Sequence, residues 1–417
     1  MASFLFYLIL ALVTAGFLFG QLLALLNHRQ RFKPVPAILH GVYSPERYSK
    51  YLEYKKVSYR FGLLMAWLSF GATLLMLNGG FILVDSLAIG ITDSSVIQAL
   101  IFFGTIGLAA DLLSTPFDVY DTFVIEQRFG FNKTTCKVYI ADKLKSWLLA
   151  AVIGGGLLSL IVWMYALLGA DFWWLAWLTI TVFSLLMSLF YSNLIVPLFN
   201  KQTPLEEGEL RTALENLAGR TGFGLKDIYI IDGSKRSTRA NAYFTGLGRM
   251  KRIVLYDTLL QKHTTAQIVS VLAHEIGHYR KKHTLKTLIL SVIQTGIVLY
   301  LFSLVVGSPV IYEALGSSHH SFHLGLVVFL ILYSPVSTIT SIGLNYMSRR
   351  FEFQADRFAA ENADAGEMVA SLRMLTADNM SDLTPHPAYV FVNYSHPPLR
   401  ERIESIQRFA GSQVKQG

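Results

Sequence analysis

The sequence predicts a mainly α membrane protein: seven transmembrane helices, with a small α+β domain on one membrane face. Three observations carry this. Of 417 residues, 53% are hydrophobic and only 15% charged, where an ordinary soluble domain carries about 25% charged residues. Apolar stretches of about 20 residues, the length that crosses a bilayer as helix, recur along the chain. The lysines and arginines fall only in alternate connections between those stretches.

The stretches cover about 3–26, 62–84, 96–114, 147–168, 173–198, 285–306 and 324–346. The first opens MASFLFYL, without a basic leader, and is too long for the apolar part of a cleaved signal, so it reads as a retained span. Residues 27–61, 115–146, 199–286 and 347–417 hold eight, five, fifteen and eight Lys or Arg, which is all 36 of them. The alternating segments hold none. Basic loops stay on the cytoplasmic side, so the N-terminus is expected outside and the C-terminus in the cytoplasm. The net charge of +8 is thus a topology signal that suits an anionic inner leaflet. No basic, aromatic-interleaved module accompanies it, so nucleic acid is not expected as a partner. The single cysteine, Cys136, excludes a disulfide framework within the chain.

Four regions follow: spans one to five with their loops (1–199), a soluble block (200–284), spans six and seven (285–346) and a second soluble block (347–417). In the first block an amphipathic helix is expected to stop at Gly222–Gly224. DIYIIDGSKRSTRANAYFTGLGRMKRIVLYDTLL then alternates apolar and polar residues between turn signals, the pattern of short strands. Thr264 with Gln267 three positions on predicts a capping box and a helix start. With only Gly277 as a breaker, that helix is expected to run straight into the sixth span. In the second block SRRFEFQADRFAAENA continues the seventh span as helix, and SHPP breaks the chain before a short charged helix.

The chemistry lies in VLAHEIGHYRKKHT, residues 271–284. His274 and His278, four apart on a helix, project from one face and can grip one zinc ion. Glu275, one residue round, stands where it can take a proton from a metal-bound water. A catalytic zinc takes three protein ligands, and Glu352 is the expected third, because spans six and seven return to the same face. Asp356, one turn further, can accept the N–H of a liganding imidazole and fix its orientation. His396 has two readings, a donor to a reaction oxyanion or a loop cap. His283 reads as a membrane-edge residue rather than a ligand. His319, His320 and His323 lie in the predicted outer loop, across the membrane from this motif.

VLAHEIGH, SRRFEFQAD and YSHPPLRERI, together with ANAYFTG (240–246), RIVLYDTLL (252–260) and IEQRFGFNKTT (125–135), resemble the type I CAAX prenyl endopeptidases, a family of integral-membrane zinc metalloproteases. The resemblance covers nearly the whole chain. It implies a ring of seven long helices enclosing a water-filled chamber, with one zinc ion at its cytoplasmic end. His274, His278 and Glu352 match the family's zinc ligands, Glu275 its general base, Asp356 the carboxylate behind the ligands and His396 the histidine that stabilises the transition state. Asn241, Ala242 and Tyr243, with Phe244, match an edge strand along which a substrate peptide lies extended; for Phe244 core packing is the expected role. The implied substrate is a peptide or protein, prenylated or otherwise membrane-associated, cut near its C-terminus. The ending GSQVKQG differs from the endoplasmic-reticulum retrieval signal common in eukaryotic members, which favours a bacterial inner membrane over the endoplasmic-reticulum membrane. A broad-specificity quality-control metalloprotease is the alternative. A transporter or lipid-binding protein with structural zinc, conducting past Asp111 and Asn345, is a second.

Overall fold

The computed structural model describes residues 1–245 and 251–414; Gly246 of the ANAYFTG motif lies outside them. Its membrane part is built from α1 (Ala2–Gln30), α2 (Pro45–Leu75), α3 (Phe81–Ile91), α4 (Ser95–Tyr120), α5 (Cys136–Leu149), α6 (Gly155–Leu168) and α7 (Phe172–Leu194). The soluble part comprises β1 (Gln202–Pro204), α8 (Glu209–Thr221), β2 (Leu225–Ile231), β3 (Ala242–Thr245), β4 (Lys251–Tyr256) and α9 (Thr265–Arg280). The chain then continues through α10 (His283–Val305), α11 (Phe322–Asn362), α12 (Ala365–Asp378), α13 (Pro387–Asn393) and α14 (Leu399–Val414).

Among the described residues, six continuous helical runs are long and apolar enough to cross a membrane. One of them, Cys136–Phe199, folds back at Gly169 (φ +58°), so that α6 and α7 pack side by side. The run therefore supplies two passes, and the seven apolar stretches of the sequence are accounted for.

The helices do not close on a solid bundle core. One apolar cluster lies at the far end, where Ile9, Leu77, Phe102 and Leu324 meet, beside a second built on Val162, Phe172, Phe302 and Phe322. The third is the core of the soluble layer, with Leu214, Ile228, Ile253, Leu255, Leu272 and Ile276. Between these ends the helices bury nothing: residues 177–191 of α7, 284–301 of α10 and 330–348 of α11 hold no buried side chain. The helices thus form a ring around an open interior. Asp111 and Asn345, polar groups within this ring, are satisfied locally. Asp111 pairs with Lys143 at 3.1 Å and accepts from Trp147 at 2.9 Å, and Asn345 donates to the Val392 carbonyl.

The soluble layer carries a four-stranded sheet of order β1-β2-β4-β3, with β2 and β4 parallel at its centre. β3 lies antiparallel to β4, Ala242 opposite Leu255 and Phe244 opposite Ile253, and forms an edge. α8 stops where Gly222 takes the left-handed conformation (φ +61°), a position open to glycine at little cost. α11, 41 residues long and so about 61 Å at 1.5 Å per residue, runs without interruption from the far end of the membrane ring into the soluble layer.

Candidate active site

α9 begins as the sequence predicts. The Thr264 hydroxyl accepts from the Gln267 N–H while the Gln267 side chain accepts from the Thr264 N–H. Its far end differs from the expectation of one helix running into the sixth span. The helix stops at Arg280, and Lys282 adopts φ +57° before α10 starts at His283. The break turns His283 back towards the helix it follows.

α9 and α11 are brought unusually close by Gly277. A β-carbon there would stand 3.0 Å from the Ala355 Cα and 3.2 Å from the Ala355 carbonyl oxygen. Across this contact face His274 and His278 from α9 and Glu352 from α11. The His274 and His278 Nε2 atoms are 3.1 Å apart. Glu352 Oε1 lies 3.3 Å from His278 Nε2, and its Oε2 lies 3.5 Å from His274 Nε2. Ligands about 2.0–2.1 Å from a tetrahedral zinc are separated by about 3.3 Å, so the three side chains have the spacing of one face of such a site. The charges agree. Glu352 is buried and its Oε2 has no hydrogen-bond partner, and two imidazole nitrogens facing each other at 3.1 Å are stabilised by a cation between them. The residues present fit a zinc ion.

Around this triangle the structure places the other expected residues. Asp356 Oδ1 accepts from His274 Nδ1 at 2.8 Å, leaving Nε2 to face Glu352. Burial would lower the His274 pKa, but Asp356 and Glu352 outweigh it and push it up to about 9 in the metal-free chain. Glu275 lines the same cavity, and burial pushes its carboxyl above the usual range. His396, 64% exposed, has its Nε2 3.3 Å from Glu352 Oε1. Its Nδ1 lies 3.0 Å from the Ser395 hydroxyl; when that hydroxyl donates, the ring N–H is on Nε2, on the side of Glu352. The cavity measures about 710 Å³ and is lined by Asn241, Ala242 and Phe244 of the edge strand region and by Thr287 and Ser291 of α10. It therefore joins the soluble layer to the helix ring.

The edge strand corrects two expectations. Side chains alternate across a strand, so Ala242 and Phe244 share the cavity face while Tyr243 points to the other side, where its ring meets Tyr256. Phe244, expected in the core, lines the cavity; the Tyr243 side chain, expected at the substrate, lies outside it. The Tyr256 N–H donates to the Asn241 carbonyl. The alternation of an antiparallel ladder then leaves the backbone groups of Ala242 and Phe244 facing outward from the free edge.

The roles of two residues, Arg402 and the His283 expected only at the membrane edge, escape the sequence reading. Arg402 of α14 forms a two-pronged pair with Asp356, Nη2 to Oδ1 at 2.5 Å and Nε to Oδ2 at 2.8 Å; its only sequence signal is its position after SHPPL. His283 stands directly behind His278. Its Nδ1 is 3.0 Å from His278 Nδ1, and its Nε2 is 3.0 Å from Gln354 Oε1. A carbonyl oxygen can only accept, so His283 Nε2 donates to Gln354, His283 Nδ1 accepts, and His278 Nδ1 donates to it. His278 Nε2 is left with its lone pair facing His274 and Glu352. His323, by contrast, sits at the far end of the ring, buried against Asp85 at 2.6 Å, and has no part in this site.

Comparison with known proteins agrees with this arrangement. Residues 25–201 match the family description "CAAX prenyl protease N-terminal, five membrane helices", and residues 204–410 match "Peptidase family M48". The chain is 37% identical over 329 residues to CAAX prenyl protease 1 of Saccharomyces cerevisiae, covering 75% of this chain and 73% of that one. It is 30% identical over 438 residues to the CAAX prenyl protease 1 homolog of Caenorhabditis elegans, covering 98% of each. The crystal structure of S. mikatae Ste24p superposes with a TM-score of 0.91 at 32% identity, over 96% of this chain and 99% of that one. These relatives are eukaryotic and lend no support to a bacterial origin. With family matches along almost its whole length, the chain belongs to peptidase family M48 and is an integral-membrane, multi-pass zinc metalloprotease.

Proposed function

We propose that the chain hydrolyses peptide bonds near the C-terminus of membrane-associated substrates, prenylated CAAX-type peptides among them. Its relatives bear the name CAAX prenyl protease. The observation that carries the proposal is the cavity itself, in which a His–His–Glu triangle, the half-buried Glu275, a free strand edge and the open helix ring share one space. A lipid-modified or apolar tail fits the ring, and the peptide preceding it fits the edge.

In this reading His274, His278 and Glu352 hold one zinc ion per chain. Bound zinc supplies Lewis acidity and a water acidified to a pKa of about 7. Asp356 holds the His274 ring in the tautomer that presents Nε2, and Arg402 holds Asp356. Ala242 and Phe244 lend their outward backbone groups to the peptide, a pairing that aligns the scissile bond with little demand on sequence. Glu275 takes the proton of the attacking water and passes it to the leaving amine. His396 donates its Nε2–H to the oxygen that becomes negative as the carbonyl is attacked, an interaction worth several kcal/mol in other hydrolases. The segregation of all 36 Lys and Arg assigns the site and the C-terminus to the cytoplasmic face, with the N-terminus outside.

The test is cleavage of paired prenylated and unprenylated peptides by the wild type and by Glu275→Gln. The prenylated peptide should be cut faster, and the variant should retain zinc while losing cleavage. Undiminished cleavage by Glu275→Gln would sink the assigned role. Equal rates on the two peptides would redirect the proposal towards broad quality-control proteolysis.

A further inference from the structure

A second cavity, of about 800 Å³, opens on the opposite side of the sheet from the active site. It lies at the membrane edge, where α5 enters and the helical run containing α7 leaves the apolar layer, and the sheet closes it from the soluble side. Lys145, Lys201, Lys235 and Arg252 line it against one carboxylate, Asp232. Asp232 is already engaged, its Oδ1 accepting from the Asn200 side chain and the Lys201 backbone N–H, both at 2.9 Å. Among the described residues none of the four cations forms an ion pair. Their neighbour Arg236 shows the contrast: it is neutralised by Asp142 at 2.7 Å.

Two of the cations are held in place. Lys145 donates to the Leu198 carbonyl at 2.7 Å. Arg252 donates through Nη1 to Asn193 Oδ1 at 2.7 Å and stacks 5.1 Å over the Tyr229 ring, which leaves donors of its fork unused. Leu198 lines the cavity too, and Leu144, Leu148 and Leu194, on the same helical run as its lining residues Lys145 and Asn193, are exposed with it, each of the four between 46% and 64%. Cations that converge without a carboxylate, above an apolar wall at a membrane edge, suit one ligand chemistry: a phosphate-bearing anionic head attached to acyl chains.

We propose that this cavity binds the headgroup of an anionic phospholipid from the leaflet on the soluble-layer side, at a site separate from the zinc centre. The full chain, purified in neutral detergent, would be titrated with phosphatidylserine, phosphatidylcholine or inorganic phosphate, and bound lipid counted by native mass spectrometry. One equivalent of phosphatidylserine should be retained in preference to phosphatidylcholine. Each Lys or Arg near an anionic surface contributes roughly fivefold, so Lys145→Gln/Lys201→Gln/Lys235→Gln should weaken retention about 100-fold. Peptidase activity in neutral detergent should stay unchanged, which also shows that the variant is folded. The control triple Lys133→Gln/Lys137→Gln/Lys226→Gln removes the same charge from exposed sites outside the cavity and should retain the lipid. Equal loss in both triples, or equal retention of phosphatidylcholine, overturns the site. Inorganic phosphate that binds alone, with the same dependence on the cavity lysines, and displaces the lipid overturns the lipid as its source.

Discussion

Replacing His283 separates a positioning role from mere packing. The ring accepts from His278 Nδ1, donates to Gln354, and stacks on Phe351 with ring centres 4.1 Å apart. It is 2% exposed. Without an acceptor behind it, His278 is free to rotate or to take the other tautomer, with a proton on the nitrogen that should face zinc. Loss of such a partner typically lowers metal affinity 10–100-fold, or about 1.4–2.8 kcal/mol. His283→Phe keeps the volume and the stacking but not the acceptor, so it should show the full loss. His283→Asn places a carbonyl oxygen near the position of Nδ1 and should recover most of it. The assay is competition for zinc between the metal-stripped protein and a chromophoric chelator, which reads affinity without reference to cleavage. Wild-type affinity in His283→Phe, or an Asn variant as weak as the Phe variant, would refute the chain from His278 through His283 to Gln354.

Three further outcomes follow from the same geometry. Gly277→Val puts side-chain atoms where the Ala355 backbone stands at 3.0–3.2 Å; overpacking of this kind costs about 1–3 kcal/mol and should lower zinc affinity by spreading α9 from α11, measured by the same competition. Arg402→Met leaves the Asp356 carboxylate, 1% exposed, without its main counter-charge, a loss of about 3–5 kcal/mol for a buried pair that should appear as a lower unfolding temperature in detergent. Because His274 carries a raised pKa of about 9 in the metal-free chain, zinc must displace its proton below that pH. Apparent affinity should therefore fall by up to about tenfold per pH unit as pH drops from 9, with proton release on zinc addition at pH 7.5; uptake without proton release would contradict the assignment.

The membrane fold was legible because its signals are summed over long windows. Apolar length and the segregation of Lys and Arg both survive local exceptions, and the seven passes emerge from them. The capping box at Thr264 was legible for the opposite reason, since it is made entirely within four residues. The break at Lys281–Lys282 was not. Nothing in YRKKHT marks a positive φ at a lysine, and the contacts that follow the turn, His283 with His278 and with Gln354 of α11, are made only in the folded chain. The same break hides His283, whose role depends on a reversal that sequence spacing cannot express.

The zinc ligands illustrate how far a local motif can reach. His274 and His278 are fixed by one helix and follow from their spacing alone. Glu352 is 74 residues from His278 in the chain, and its placement depends on two things that the motif itself contains or implies. One is Gly277, the third position after His274, without whose missing side chain α9 could not lie against the Ala355 backbone. The other is the unbroken 41-residue α11, which carries a carboxylate out of the membrane ring at a height set by helix geometry, where a flexible linker would leave it undefined. Asp356 follows one turn later on the same rigid rod, so ligand and supporting carboxylate move as one body. Arg402 and the strand edge arrive from separate elements, α14 and β3, whose docking depends on the shared core of Leu272, Ile276 and Ile403. Residues tied to the zinc by a continuous helix could be read from spacing; those tied to it only by core packing needed the fold.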